Sequence, residues 1–377
     1  MVGLSVGGKP VRVLVGVGWK VGAVTVTDLF VLLALLWACA SVVFLRHGKV
    51  DALYPYGWVA MLLLYGVCSR MNRAGILGLY MALVLSGTVQ AVWALLQKNG
   101  FYTDVAAEFV VTGSFGNPGP LGGYLAVAFA AALGCLREVN NRASKAWLLT
   151  VLLPISAALV VTDSRAAWLS ALAAAVFAAW SVLPDALRCR KWYVWFAVSA
   201  VVAGILFGCY HYKKTSADVR LLVWMAGVEM VADAPWCGHG VGSFPMQYMD
   251  YQGEWLAQHP GSRFHALADN NMQAFCEPLS LLCEQGVVGG VLAAVLVTMA
   301  LSGTRFRHYS PVLLALGIFS CFSYPTDVFA LKMLFPMLIG TLSCRRVLFT
   351  FTPDRRLSAV VCCLLLLCSG GAGRAVV

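Results

Sequence analysis

From Tyr210 to Cys276 the chain is mostly polar, and it carries Arg220, Trp224, Glu229, the run Pro235-Trp236-Cys237-Gly238-His239-Gly240-Val241-Gly242-Ser243-Phe244 and the trio Asp269-Asn270-Asn271. Long apolar segments flank this stretch on both sides. Of the 377 residues, 60% are hydrophobic, 12% aromatic and only 12% charged, with mean hydropathy +0.79. Soluble domains hold about 25% charged residues, so the chain is an integral membrane protein. Apolar runs of about twenty residues between short charged links match α-helical spans, and they do not match the alternating ten-residue strands of a barrel. The expectation is an all-α, polytopic membrane protein. It forms one membrane domain over 1–377, with residues from about 211–276 as the single large extracytoplasmic loop.

Working outward, apolar spans read at about 28–45, 53–69, 74–96, 119–136, 146–162, 166–183, 192–210, 277–301, 309–325, 329–348 and 358–371, roughly eleven transmembrane helices. Residues 1–23 are too short and too interrupted to span, and no cleavage site precedes the next span. Cations cluster in alternate links. Lys9, Arg12 and Lys20, then Arg70 and Arg73, Arg137, Arg142 and Lys145, Arg188, Arg190 and Lys191, Arg305 and Arg307, and finally Arg345, Arg346, Arg355 and Arg356 form one set. The opposite short links hold only Arg46, Lys49, Lys98, Arg165 and Lys332. The positive-inside rule makes the first set and the amino terminus cytoplasmic and leaves the long loop outside. The net charge of +10 is then mainly a topology signal. No basic stripe coincides with aromatic platforms on a soluble face, so a nucleic-acid partner is not expected. Most of the thirteen cysteines lie in or beside apolar spans, where cysteine acts as a small hydrophobe. Cys237 and Cys276 could pair in an oxidising compartment, and no spacing suggests a metal site.

The chemistry-bearing residues fall on the loop side. Thr112-Gly113-Ser114-Phe115-Gly116-Asn117-Pro118 is a tight connection with proline at a helix start. Thr162-Asp163-Ser164-Arg165-Ala166-Ala167-Trp168 puts an arginine and an aspartate at a turn between two apolar helices. Ionisable groups at membrane depth are costly and usually functional. The pair reads either as an interfacial helix end or as an arginine offered to an anionic headgroup, since guanidinium binds phosphate bidentately. Arg220, Trp224, Gly227 and Val228 recur at helical spacing, which predicts an amphipathic helix on the membrane surface. The Gly238-His239-Gly240-Val241-Gly242 turn has no preceding strand and no closing Gly-Lys-Ser/Thr, so it is not a nucleotide loop, and His239 reads as a turn residue. Glu277 and Glu284, one heptad apart, share a helical face that lipid would not tolerate, which predicts an internal cavity.

These segments together resemble the O-antigen ligase and polymerase superfamily over about residues 25–350. The residues that carry the likeness are Gly113-Ser114-Phe115-Gly116-Asn117-Pro118, Ser164-Arg165-Ala166-Ala167-Trp168, Arg220 with Trp224, the Pro235 to Phe244 turn, Glu277 to Gly289, and Tyr324-Pro325, in that order. The resemblance implies a bacterial inner-membrane glycosyltransferase that takes a glycan from undecaprenyl pyrophosphate. The glycan passes to a lipid A core, a growing glycan or a protein hydroxyl outside that membrane, with membrane lipids around and neither cofactor, nucleotide sugar nor metal. It implies substrate binding by Arg165, Arg220, Trp224, Asn117 and Asn270. Many members begin the helix after the loop with His-Asn. Phe275 and Cys276 stand there instead, so Glu277 takes the catalytic or acceptor-orienting part, with an adjacent arginine and the helix dipole expected to favour its anion and make it an orienter of the hydroxyl more than a strong base. Asp269 and His265 are further candidates. The departure is equally consistent with a changed acceptor or a decayed enzyme. The alternative function is a transporter or flippase of lipid-linked sugars. Such proteins commonly carry inverted repeats, and the sequence shows none.

Overall fold

The computed structural model describes residues 5–6, 9–10, 23–45, 54–101, 109–180, 204, 208, 210–303, 306–343 and 346–350. The spans expected at 192–210 and 358–371 lie almost wholly outside these residues. The described chain is helical. Six helices come first: α1 (Val26–Leu45), α2 (Tyr54–Arg70), α3 (Arg73–Lys98), α4 (Pro118–Glu138), α5 (Arg142–Val161) and α6 (Arg165–Trp180). After the gap come α7 (Lys214–Asp233), α8 (Phe244–Gln258), α9 (Glu277–Ser302), α10 (Ser310–Cys321), α11 (Phe329–Lys332) and α12 (Leu334–Leu342). Among the described residues, α1, α3, α4, α5 and α9 are long and apolar enough to cross a membrane.

The centre of the bundle is α4, whose neighbours are α3, α5, α6 and α10. Its sequence explains this. Ala126, Ala128, Ala130, Ala131 and Ala132 are fully buried, and small residues let helix backbones approach where lipid supplies no hydrophobic drive. A Cβ on Gly123 would stand 2.4 Å from the Phe319 ring of α10, and one on Gly122 would stand 2.9 Å from the Ala167 Cβ of α6. Both glycines are contact points that a side chain would force apart.

Two expected spans are shorter than the apolarity suggests. The run at 309–325 ends as helix at Cys321, because Pro325 cannot continue it, and residues 322–328 form a loop. The run at 329–348 leaves the helix at Ser343, and Val347–Thr350 pairs antiparallel with Ala23–Thr25. Within 211–276 there is more helix than the one expected around Arg220. The segment folds into α7, α8 and a 3-10 turn at Arg263–Leu267, and α7 packs on α8, α9 and that turn. The expected surface helix carrying Arg220 is therefore a packed one: Leu222, Val223, Ala226, Gly227 and Met230 of α7 are buried in protein.

Opposite ends of the bundle differ in chemistry. At one end Arg73 opens α3 and is hydrogen-bonded to Glu138 at the close of α4, and Glu138 also meets His308 Nε2 at 2.7 Å. The other end holds the close of α3 and α5, the starts of α4, α6 and α9, and all of α7 and α8.

Candidate functional site

The turn between α5 and α6 sets the first half of the site. Asp163 occupies it in the left-handed region at φ 52°, which an aspartate tolerates better than most residues. This turn places Arg165 at the first position of α6. Its guanidinium donates to the Lys213 carbonyl and to Ser216 Oγ, each at 3.3 Å. Lys213 in turn directs Nζ to Asp163 Oδ2 at 2.6 Å and to the Asp163 carbonyl at 3.1 Å. Together with Lys98 and Arg220, these residues line a cavity of about 350 Å³. Arg220 is held below the ordinary guanidinium pKa, first by burial and then by the Arg165 cation, while Tyr324 opposes the shift. Two cations kept close in a poorly solvated place repel each other until an anion joins them.

Arg220 also marks where the second half begins. Its guanidinium lies 5.3 Å from the centre of the Phe275 ring, which meets Tyr324 edge-on at 5.6 Å. Phe275 is held at φ 51°, a strained conformation for a bulky residue. Trp224 Nε1 donates to the Ala274 carbonyl at 3.1 Å and so fastens α7 to this segment. Beyond Phe275 a cavity of about 200 Å³ is lined by Glu277, Glu284, Tyr324, Thr326 and Asp327. The heptad pair thus faces a shared cavity, as its spacing predicted.

The three carboxylates are placed differently. The Glu277 carboxylate accepts the Thr326 N–H and the Thr326 hydroxyl at 2.7 Å, so threonine rather than the expected arginine holds it. Glu284 faces the backbone N–H groups of Gly242 and Phe244. Asp327 is exposed at the cavity edge, yet enough protein surrounds it that desolvation raises its pKa above the usual carboxylate range, with Lys332 pulling the other way. Burial likewise raises the Tyr324 phenol, and Asp327 adds to the shift.

The glycine turn is structural. Gly286 breaks α9 at φ 64°, which frees backbone groups on both sides of the break. Into this gap the turn inserts. The His239 and Gly240 N–H groups donate to the Cys283 and Glu284 carbonyls at 2.9 and 2.8 Å, and the Val287 and Val288 N–H groups donate to the Pro235 and Trp236 carbonyls at 2.8 and 3.3 Å. Every orphan named here gains a partner, as a buried backbone requires. The His239 ring is buried and pairs through Nε2 with the Met230 carbonyl at 2.9 Å, which fits a turn residue and not a base.

Of the residues singled out in the sequence, Arg165 and Arg220 share one cavity and Glu277 lines the other. Asn117 caps α4, its side chain accepting the Gly119 N–H at 2.8 Å, beside the cationic cavity but not in its lining. Asp269 and Asn270 are exposed in a turn where the Asn270 N–H donates to Asp269 Oδ1 at 2.8 Å. His265 is exposed and bonded to the His259 carbonyl at 3.0 Å. None of these three lines either cavity. Cys237 and Cys276 are both free thiols, so the possible pairing is not made. Lys213 and Asp327 were missed. For Asp327 the signal was present, because a lone carboxylate between apolar helices meets the criterion that singled out Arg165. Lys213 hides beside Lys214 in a polar stretch.

No curated protein matches the chain. Residues 149–294, which hold Arg165, Arg220, Glu277 and the spliced turn but not Asp327, match the family model described as O-antigen ligase, and this match supports membership of the chain in the O-antigen ligase and polymerase superfamily.

Proposed function

We propose that this protein transfers a glycan from undecaprenyl pyrophosphate to an acceptor hydroxyl on the outer face of the bacterial inner membrane, with residues 211–276 periplasmic and the amino terminus cytoplasmic. One observation carries this reading: a cationic cavity and a carboxylate-lined cavity meet at the Arg220–Phe275 contact. Glycosyl transfer from a diphosphate needs both. Arg165 and Arg220 bind the diphosphate and stabilise the charge that grows on it as the anomeric carbon–oxygen bond breaks. The acceptor oxygen attacks that carbon from the second cavity and loses its proton to a carboxylate. Glu277, held by Thr326, orients the hydroxyl, and Asp327, open at the cavity edge, takes the proton. Trp224 keeps Phe275 between the two halves.

Purified full-length protein in detergent, given an undecaprenyl-pyrophosphate-linked oligosaccharide and in turn a lipid A core, a glycan or a serine-bearing peptide, should release undecaprenyl pyrophosphate without an ion gradient. The acceptor that becomes glycosylated identifies the branch of the superfamily. An intact donor with all three acceptors would sink the reading in favour of movement without chemistry.

A further inference from the structure

The cationic cavity holds an ion pair that glycan transfer as described above does not use. Lys98, Arg165, Lys213 and Arg220 line it, and among the lining residues Asp163 is the one carboxylate. That carboxylate is spent on Lys213, through Oδ2 at 2.6 Å and with the backbone carbonyl of the same residue at 3.1 Å. The two side chains keep 40% and 43% of their surface exposed, and a pair so well solvated is weak enough for a competing anion to displace. The other Asp163 oxygen, Oδ1, is buried without a partner.

We infer that Lys213 is a third cation for the leaving diphosphate, held on Asp163 until the charge of that group grows. The inference rests on the donor reading above. A glycan-bearing lipid diphosphate is a diester with one negative charge on each phosphate. When its anomeric carbon–oxygen bond breaks, the electron pair stays on the phosphate oxygen and a further negative charge appears. Arg165 and Arg220 engage the diphosphate from the ground state onward, and Lys213, moving from Asp163 to the new oxyanion, adds a contact made only as the further charge develops. An interaction made only as charge develops lowers the barrier without tightening the substrate.

Equilibrium binding of undecaprenyl pyrophosphate and undecaprenyl phosphate to the purified full-length protein reads this directly, because the free diphosphate carries the charge of the departed group. Wild type should prefer the diphosphate. Lys213→Met should lose about tenfold in affinity for the diphosphate and little for the monophosphate. Asp163→Asn, which removes the carboxylate and leaves the ammonium only the backbone carbonyl, should tighten the diphosphate selectively, and it decides the matter if the lysine variant does not fold. In turnover, Lys213→Met should lower kcat with the donor KM nearly unchanged. A diphosphate-to-monophosphate ratio equal to wild type in both variants would overturn the role of Lys213 alone. If wild type bound neither lipid, the donor reading itself would fall, and this inference with it.

Discussion

At the scale of single residues, the charged groups of the candidate site differ in their access to water. Arg220 is the sharpest case, since burial and Arg165 disfavour its cation against the weaker opposing pull of Tyr324, and a bound anion would relieve them. Its planar fork matches two phosphate oxygens, which a lysine ammonium cannot reproduce. Arg220→Lys should therefore lower transfer by about 10²–10³, the loss typical of one preorganised donor, while leaving the melting temperature near wild type. Full activity in that variant would exclude bidentate phosphate recognition at this position. Asp327 makes a prediction in pH. Its pKa is raised by desolvation, so the base form needed to accept a proton is lost as pH falls through a value above the ordinary carboxylate range. The transfer rate should accordingly rise with pH on an acid limb displaced upward. Asp327→Asn should remove that limb and cost about 10²–10⁴ in rate. An Asn variant with the wild-type profile would move the proton to Glu277 or to water.

At the scale of elements, the break in α9 holds the site together. Glu277 and Glu284 precede Gly286, and the inserted Pro235 to Gly242 turn fixes their helix segment against α7 and α8. A Cβ on Gly286 would lie 2.3 Å from the Trp236 carbonyl oxygen, and one on Gly238 would lie 2.5 Å from the Glu284 carbonyl carbon, both at positive φ. Gly286→Ala should thus destabilise the protein by about 1–3 kcal/mol from backbone strain alone, with transfer lost at the same time. Gly253 in α8 supplies the contrast, because its Cβ would meet nothing within 4 Å and alanine is the better helix former. Gly253→Ala should melt no lower than wild type, so equal melting of the two variants would dismiss the splice. The sequence displayed the glycines of this device but not its partner. Hydrogen bonds from residues 235–240 to residues 283–288 join positions remote along the chain, and no local spacing encodes which backbone they serve.

At the scale of the whole molecule, what could be read from the sequence followed apolarity and charge. Helices α1 to α6 and α9 lie within a few residues of the apolar runs, because a lipid environment imposes helix on any such run. Residues 210–276 yielded only the helix carrying Arg220 and not α8, because polar composition tells of water nearby and says nothing against helix. The alternation of cations carries over as geometry. Arg142 opens α5, and Val161 closes it beside the Asp163 turn that meets Lys213 and Arg165. A helix rises about 1.5 Å per residue, so the 20 residues of α5 separate Ser144, in its first turn, from the turn packed on Ser216 by most of a bilayer. If residues 211–276 are periplasmic, a cysteine introduced at Ser216 should react with an impermeant thiol reagent in intact spheroplasts above the background of the native cysteines. One at Ser144 should react only after the membrane is opened. Labelling of both from the same side would contradict the antiparallel bundle and the placement of Arg165 and Arg220. The reverse sidedness would keep the bundle and the two cavities intact but turn them toward the cytoplasm, away from the outer-face acceptors that the proposed transfer requires.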